Sequence, residues 1–179
     1  MPTISPEQID LLSGLVAQYI TTQQNRYAPR AVPLSAQQKA SMAGFFTPQV
    51  IDGTRLLELG DGERVVNPEF YPMLREVGID NPPDMSAMLA ITFSDTVVAH
   101  EPFTGGLLFH ELVHVEQYRQ LGVLRFSDLY VRGFLSGGSY EEIPLEKNAY
   151  MLGGLYEENR ALHFSTADEV ARWIAEARF

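Results

Sequence analysis

The chain has 179 residues, of which 45% are hydrophobic, and a formal net charge of −10 at pH 7. This length suffices for one hydrophobic core, and no linker-like or repeated stretch divides the sequence, which predicts a single domain over residues 1–179. The acidic charge disfavours nucleic-acid backbones and anionic membrane surfaces, so we expect neither as a partner. Because there is no cysteine, disulfides and thiolate metal sites are excluded, and any metal site must use histidine and carboxylate ligands.

The start of the chain, MPTISPEQID, has no basic segment ahead of an apolar one. The apolar stretches of the sequence are too short or too interrupted to cross a bilayer. We therefore expect a protein that is cytoplasmic or exported without a standard signal peptide. The sequence does not indicate an oligomeric state.

The N-terminal part of the chain, about residues 1–46, is predicted to be helical. Apolar residues recur at helical spacing over 5–26 and again over 35–46. The core of the domain is expected to follow, over about residues 47–160.

The segment 55–66, RLLELGDGERVV, is predicted to form a β-hairpin with Asp61 and Gly62 at its turn. Asp61 and Glu63 are both acidic, but the segment lacks the spaced carboxylates of a calcium loop, so we do not expect calcium there. The next segment, NPEFYPMLREVG at 67–78, predicts a short helix.

The segment 88–100, MLAITFSDTVVAH, is predicted to form one half-buried strand. Its residues alternate and many are β-branched, as such a strand requires. If the strand lies at a sheet edge, its main chain can hold an extended peptide, and we predict a peptide or protein substrate along it. A wholly internal strand without substrate contact is the alternative. His100 is interpreted as a surface or hydrogen-bonded residue and not as a ligand.

The segment TGGLLFHELVHVEQYRQLG is predicted to form a helix. Thr104 suits the position that caps its start, and Gly122 suits the position after its end. Leu108, Leu112 and Val115 repeat at helical spacing and form a stripe that can pack into the core. The motif HELVH at 110–114 therefore lies on a helix.

The HELVH motif places His110 and His114 one helical turn apart, where both imidazoles can reach one metal ion. Glu111 lies beside the first histidine, in a position to take a proton from a metal-activated water and to deliver it later to a leaving amine. This pattern is typical of a zinc metallopeptidase. Two ordinary histidines on a half-buried helix are the alternative.

A catalytic zinc usually has three protein ligands and one open position, so a third ligand is expected downstream. Glu146 lies near the start of a helix predicted from SYEEIPLEKNAYMLGGLYEENRAL. It follows His114 by 146 − 114 = 32 positions, enough for the chain to reverse through a helix near 126–136 and return to the metal. Glu141 and Glu142 are rival candidates, but they precede the helix. We predict Glu146 as the third ligand.

Two residues are candidates for the group that stabilises the oxyanion of a reaction intermediate. Tyr140 and His163 could each donate a hydrogen bond to it, and either could equally be structural. We assign Tyr140 as the catalytic candidate, beside Glu111. A final amphipathic helix is predicted over about 165–178.

The motifs together resemble a known group of enzymes. EKNAY at 146–150 resembles the second element of the gluzincin metallopeptidases, which carry HExxH followed by a helix that bears a glutamate. The stretches AITFSDTVV, LLFHELVHVEQYRQLG and YEEIPLEKNAY more closely resemble the compact metallopeptidase-like domains associated with contractile injection systems and bacterial toxins. In those domains an A-x-T-F strand precedes the zinc helix and a glutamine follows the second histidine. The resemblance covers about residues 45–155.

This resemblance implies a zincin-like α+β fold, in which a small, mostly antiparallel sheet packs against the active-site helix and several further helices. It implies a bacterial protein that binds Zn²⁺ through His110, His114 and Glu146 and hydrolyses peptide bonds with Glu111 as general base. Tyr150 stands where many gluzincins carry an acidic residue that orients a histidine. The alternative function is a non-hydrolytic binding or regulatory module of the same fold that holds an extended peptide partner.

Overall fold

The computed structural model describes residues 4–76 and 78–176 and has an α+β fold, as the sequence predicts. Within those residues the helices are α1 (Pro6–Tyr27), α2 (Ala36–Met42), α3 (Pro48–Gly53), α4 (Tyr71–Glu76), α5 (Gly105–Gly137), α6 (Pro144–Glu158) and α7 (Thr166–Ala175). The strands are β1 (Val32–Pro33), β2 (Arg55–Glu58), β3 (Ala90–Phe93) and β4 (Thr96–Ala99), and short 3₁₀ turns lie at Ala28–Arg30 and Tyr140–Glu142.

The four strands form one sheet in the order β1-β2-β4-β3. The pairs β1–β2 and β3–β4 are antiparallel and the central pair β2–β4 is parallel, so the sheet is mostly antiparallel, as predicted. In the described part of the chain β3 forms one edge. It packs against α5, which carries the HELVH motif.

The predicted single strand over 88–100 is wrong, because the structure divides it into the hairpin β3–β4. Phe93 pairs with Thr96, which leaves Ser94 and Asp95 as a two-residue turn. Ser94 has a φ of 61°. A non-glycine residue in this region is uncommon, and SD lacks the glycine that usually announces such a turn. Without a recognisable turn, the alternating residues of β3 and β4 form one continuous pattern in the sequence, which predicts a single strand.

The predicted hairpin over 55–66 is also wrong, although its turn forms as expected. Asp61 and Gly62 have φ values of 52° and 75°, and Glu63 N–H donates to Gly60 O at 2.9 Å. Residues 63–66 form no strand, and β2 pairs instead with β1 and β4. One reason is that Val65 N–H donates to the His100 side chain at 3.0 Å, so a side chain takes the place of a strand partner.

The N-terminal and C-terminal helices are close to their predicted ranges. Helix α1 matches 5–26, whereas α2 stops at Met42 and the short α3 was not expected. Helix α4 covers the middle of the predicted 67–78 helix, and Val77 lies outside the described residues. Helix α7 corresponds to the predicted 165–178 helix, of which 177–179 lie outside the described residues, as do residues 1–3 of the N-terminal part.

Helix α5 contains both the helix predicted to carry HELVH and the helix predicted near 126–136. Thr104 caps its start, accepting from Leu107 N–H at 3.1 Å, as predicted. Gly122, with φ 70° and ψ 164°, breaks the helical conformation between the two halves. Among residues 4–76 and 78–176, none of the helices has both the length and the apolar character that crossing a membrane requires.

The first half of α5 packs against both the sheet and α6. Leu108, Leu112 and Val115 are buried in one hydrophobic cluster, which confirms the predicted stripe. The same cluster includes Val97 of β4 and Leu152 of α6. The opposite side of this half of α5 carries His110 and His114 toward the start of α6.

Candidate metal centre

The three predicted metal ligands meet in the structure. Nε2 of His110 and Nε2 of His114 are 3.1 Å apart on consecutive turns of α5. Glu146, in the first turn of α6, places Oε2 3.4 Å from His110 Nε2 and 3.3 Å from His114 Nε2. Both His114 and Glu146 are buried, and His110 is partly exposed. These side chains form a group that could hold a metal ion.

Close packing between the second half of α5 and the start of α6 positions Glu146. Gly133 makes the approach possible, because a Cβ atom there would lie 2.5 Å from Pro144 Cδ. Ile143 and Leu145 are fully buried on the same side and fix the first turn of α6. The rival ligands do not reach the site, since Glu141 is exposed and Glu142 pairs with Lys147 Nζ at 2.6 Å.

The arrangement of the three ligand atoms fits a tetrahedral metal ion. Ligand atoms bound to such an ion at its usual distances lie about 3.3 Å from one another, and here the separations are 3.1, 3.3 and 3.4 Å. In the part of the chain that the structure describes, Oε2 of Glu146 is buried and has no hydrogen-bond partner apart from its 3.3 and 3.4 Å contacts with the two imidazoles. A buried carboxylate oxygen without a partner is costly, and a cation between it and the two imidazoles would satisfy it.

A side-chain network behind His114 determines which ring nitrogen faces the site. Oε1 of Gln117 lies 2.9 Å from His114 Nδ1 and accepts its hydrogen, which leaves the Nε2 lone pair for a metal. The Gln117 amide is itself oriented, because its Nε2 donates to Leu145 O and to Asn148 Oδ1, both at 3.0 Å. The sequence signals Gln117 only through the resemblance and gives no sign of Asn148.

His110 has a different neighbour. The Tyr150 ring lies 4.6 Å from the His110 ring, measured between centroids, at an angle of 54°. Tyr150, which the sequence resemblance aligns with an acidic residue of many gluzincins, therefore gives His110 an aromatic neighbour. Tyr150 is 55% exposed, so this contact lies at the surface of the protein.

The carboxylate of Glu111 is buried beside the metal ligands and is held by β3. Thr92 Oγ1 donates to Glu111 Oε2 at 2.7 Å, across the contact between the sheet and α5. Sequence reasoning did not assign Thr92. Its only signal was its place in the AITF strand that the resemblance singles out.

Tyrosine side chains complete the polar end of the site. Tyr140 lies near Glu146, and burial together with the Glu146 charge raises the pKa of its hydroxyl far above the ordinary value of 10.0. Tyr118 is buried and Tyr130 is partly buried, on the two halves of α5, and desolvation together with the same charge raises the pKa values of both hydroxyls. Neither was identified from the sequence, since aromatic residues at helical spacing are typical of a core.

The charges of His114 and Glu146 depend on each other. Burial lowers the pKa of His114, but the Glu146 carboxylate, with smaller contributions from Glu111 and Gln117, outweighs burial and raises it to about 9. Burial likewise raises the pKa of Glu146, and the two histidines lower it well below its usual range. Without a metal, a proton on His114 therefore balances the Glu146 charge.

The other two histidines have structural contacts. His100 accepts from Val65 N–H at 3.0 Å and its Nδ1 faces Met88 O, which confirms it as a hydrogen-bonded residue. His163 packs on the Phe45 ring, with 5.0 Å between centroids, and against Gly44. Of the two oxyanion candidates, only Tyr140 therefore lies beside Glu146.

No protein-family model, curated protein or solved structure matches the chain. The likeness to zincins is therefore one of motif and side-chain geometry. HELVH on one helix and a glutamate from a second helix form a group that is consistent with a zincin-like HExxH site.

Proposed function

We propose that the protein is a zinc-dependent peptidase of the gluzincin type, with His110, His114 and Glu146 as the metal ligands. The observation that carries the proposal is the set of 3.1 to 3.4 Å separations among the three ligand atoms, together with Glu111 beside them. Two neutral imidazoles and one carboxylate are a usual ligand set for catalytic zinc. When bound, zinc would polarise the scissile carbonyl and make a water more acidic.

Glu111 is the proton carrier in this proposal. Thr92 occupies Oε2 of the carboxylate, so we assign Oε1 as the atom that takes the proton from the attacking water. The same carboxylate then gives the proton to the nitrogen of the leaving amine. Its burial on α5 keeps it in one position for both transfers.

Tyr140 is the proposed donor to the carbonyl oxygen, which gains negative charge when water attacks. A tyrosine hydroxyl with the ordinary pKa of 10.0 is protonated at neutral pH, and burial with the Glu146 charge raises the pKa of Tyr140 further, so this hydroxyl can donate a hydrogen bond. The peptide itself would lie along β3, which is the sheet edge in the described residues and which carries Thr92. This narrows the predicted substrate strand from 88–100 to Ala90–Phe93.

Elemental analysis tests the metal site first. The wild type, reconstituted with zinc and desalted, should hold about one zinc per chain, and Glu146→Gln should lose it. Glu142→Gln is the matched control, since this glutamate is exposed and lies outside the ligand group. A zinc-free wild type, or equal zinc in Glu146→Gln, contradicts the ligand assignment.

Hydrolysis of a mixed peptide library, followed by mass spectrometry, tests the chemistry. Glu111→Gln should retain zinc and cleave at least about 100-fold more slowly than wild type, because the general base is lost. Glu142→Gln should cleave at the wild-type rate. Zinc binding without cleavage of any peptide would overturn the peptidase proposal in favour of the binding module.

A further inference from the structure

A cavity of about 130 Å³ adjoins the candidate metal centre. The site side chains Glu111, His114 and Glu146 form one end of it, with Thr92 and Tyr140 beside them. The cavity is therefore continuous with the place where a substrate carbonyl would react. Its remaining walls come from α1, the segment 67–88, β3 and both halves of α5.

These walls are apolar. Apart from Glu111, His114 and Glu146, no charged side chain lines the cavity in the part of the chain that the structure describes. We call the part of the lining from α1 and the segment 67–88 the far wall. Its tyrosine hydroxyls donate to main-chain oxygens, Tyr19 to Val66 O at 2.6 Å and Tyr71 to Pro83 O at 2.7 Å. They therefore present their rings to the space. Such a wall favours an apolar group and disfavours a charged one.

Hydrogen bonds hold the far wall in place. Met85 N–H donates to Asn67 Oδ1 at 2.7 Å, and Asn67 Nδ2 donates to Asp84 Oδ1 at 2.9 Å. His100 connects Val65 to Met88. The segment that closes the cavity is thus tied to the sheet, and an apolar occupant would enter a space that already exists.

The size of the cavity identifies the kind of group that fits. A buried cavity of about 150 Å³ with similar walls takes up benzene, so about 130 Å³ suits one aromatic ring or a branched aliphatic side chain. We infer that this cavity binds the large apolar side chain of the substrate residue next to the scissile bond. The inference rests on the proposed metal site and names the substrate class as peptides with such a residue.

Hydroxamates can test the cavity without hydrolysis, because they bind an open zinc position and carry variable arms. We would measure, by calorimetry on the zinc-loaded protein, the affinities of acetohydroxamate, 3-phenylpropanohydroxamate and succinic monohydroxamate. The phenyl arm should bind at least about tenfold tighter than the methyl group, since it buries a ring. The charged arm should give no gain over the methyl group.

Filling the cavity should remove this preference. Val16 of α1 lines the cavity, and Val16→Phe should abolish the gain from the phenyl arm while leaving acetohydroxamate binding unchanged. Leu15→Phe adds a similar ring on the same helix at a residue that does not line the cavity, and should behave like wild type. If Val16→Phe does not fold, the wild-type series still decides the question.

The outcomes separate the two proposals. A phenyl arm that gains nothing over acetohydroxamate overturns the cavity inference while the metal site stands. No binding of any hydroxamate to the zinc-loaded protein overturns both. Tight binding of the phenyl compound by a protein that cleaves no peptide supports the cavity and counts only against hydrolysis.

Discussion

Gln117 Oε1 lies 2.9 Å from His114 Nδ1 and holds the second histidine of HELVH in one orientation. The amide can serve this purpose because Leu145 O and Asn148 Oδ1 accept both hydrogens that its nitrogen presents. Its oxygen is therefore the end that faces His114. The orientation of His114 thus depends on contacts between α5 and the first turn of α6, which also carries Glu146.

Replacement of Gln117 should weaken metal binding. Gln117→Leu removes the acceptor for His114 Nδ1, and zinc affinity should fall by about 10- to 100-fold, as for other partners of metal-bound histidines. Competition with a chromophoric chelator measures the change. Gln120→Leu is the control, since Gln120 bonds Glu116 and Ala167 O on another side of α5 and should alter stability without altering zinc affinity. Equal losses of affinity in both variants contradict the role of Gln117.

Thr92→Val should destabilise the protein by leaving a buried carboxylate without its donor. Valine has nearly the same shape and suits a strand, so the main change is the lost 2.7 Å hydrogen bond to Glu111 Oε2. We expect a loss of about 1–3 kcal/mol in the free energy of unfolding, measured by urea denaturation. In a Glu111→Gln background the same substitution should cost less. Equal costs in the two backgrounds would show that Thr92 and Glu111 are not coupled.

The meeting of His110 and His114 was predictable because helical geometry is local. A spacing of four on α5 sets His110 against His114, whatever the rest of the chain does. Glu146 was found by counting ligands and by its place at the start of a helix. Its contact with the histidines, however, requires Gly133 to let α6 approach, and no local pattern shows that.

The strands were less predictable because their partners are distant in sequence. Leu56 pairs with Val97, which is 41 positions away in sequence (97 − 56). The structure thus forms a parallel pairing with a buried strand instead of the expected local hairpin over 55–66. The turn at Ser94 was hidden because its residues are not typical of a positive φ. Thr92 and Tyr118 were not predicted as site residues for a similar reason, since their contacts depend on which element packs beside them.

The stability of the metal-free protein should fall as the pH rises from neutrality. The pKa of His114 is raised from 6.5 to about 9, so its contribution is fully present below pH 6.5 and is lost as the pH passes through about 9. The pKa of Glu146 is lowered from 4.5, so its contribution is present above that value and is lost in acid. When only the titration of these two groups is considered, the metal-free protein is most stable at about pH 4.5–6.5.

Melting temperatures of the protein, freed of metal by a chelator, measure this pH dependence of stability between pH 5.5 and 9. Glu146→Gln removes the charge that raises the pKa of His114, so its melting temperature should change less between pH 6.5 and 9. Zinc should raise the melting temperature of wild type more at pH 8 than at pH 6, because it then displaces fewer protons. If the metal-free wild type becomes more stable toward pH 9, the coupling of His114 and Glu146 is contradicted.

The break in α5 should depend on glycine at position 122. Gly122 has φ 70° and ψ 164°, a conformation open essentially to glycine, while a Cβ atom there would meet nothing within 4 Å. The cost of Gly122→Ala is therefore conformational, about 1–3 kcal/mol in urea denaturation. Gly153 also has open space but lies inside α6, so Gly153→Ala should be neutral or stabilising by up to about 1 kcal/mol. If both substitutions change the free energy of unfolding by the same sign and size, the chain does not require a glycine break between the HELVH motif and the wall of the cavity.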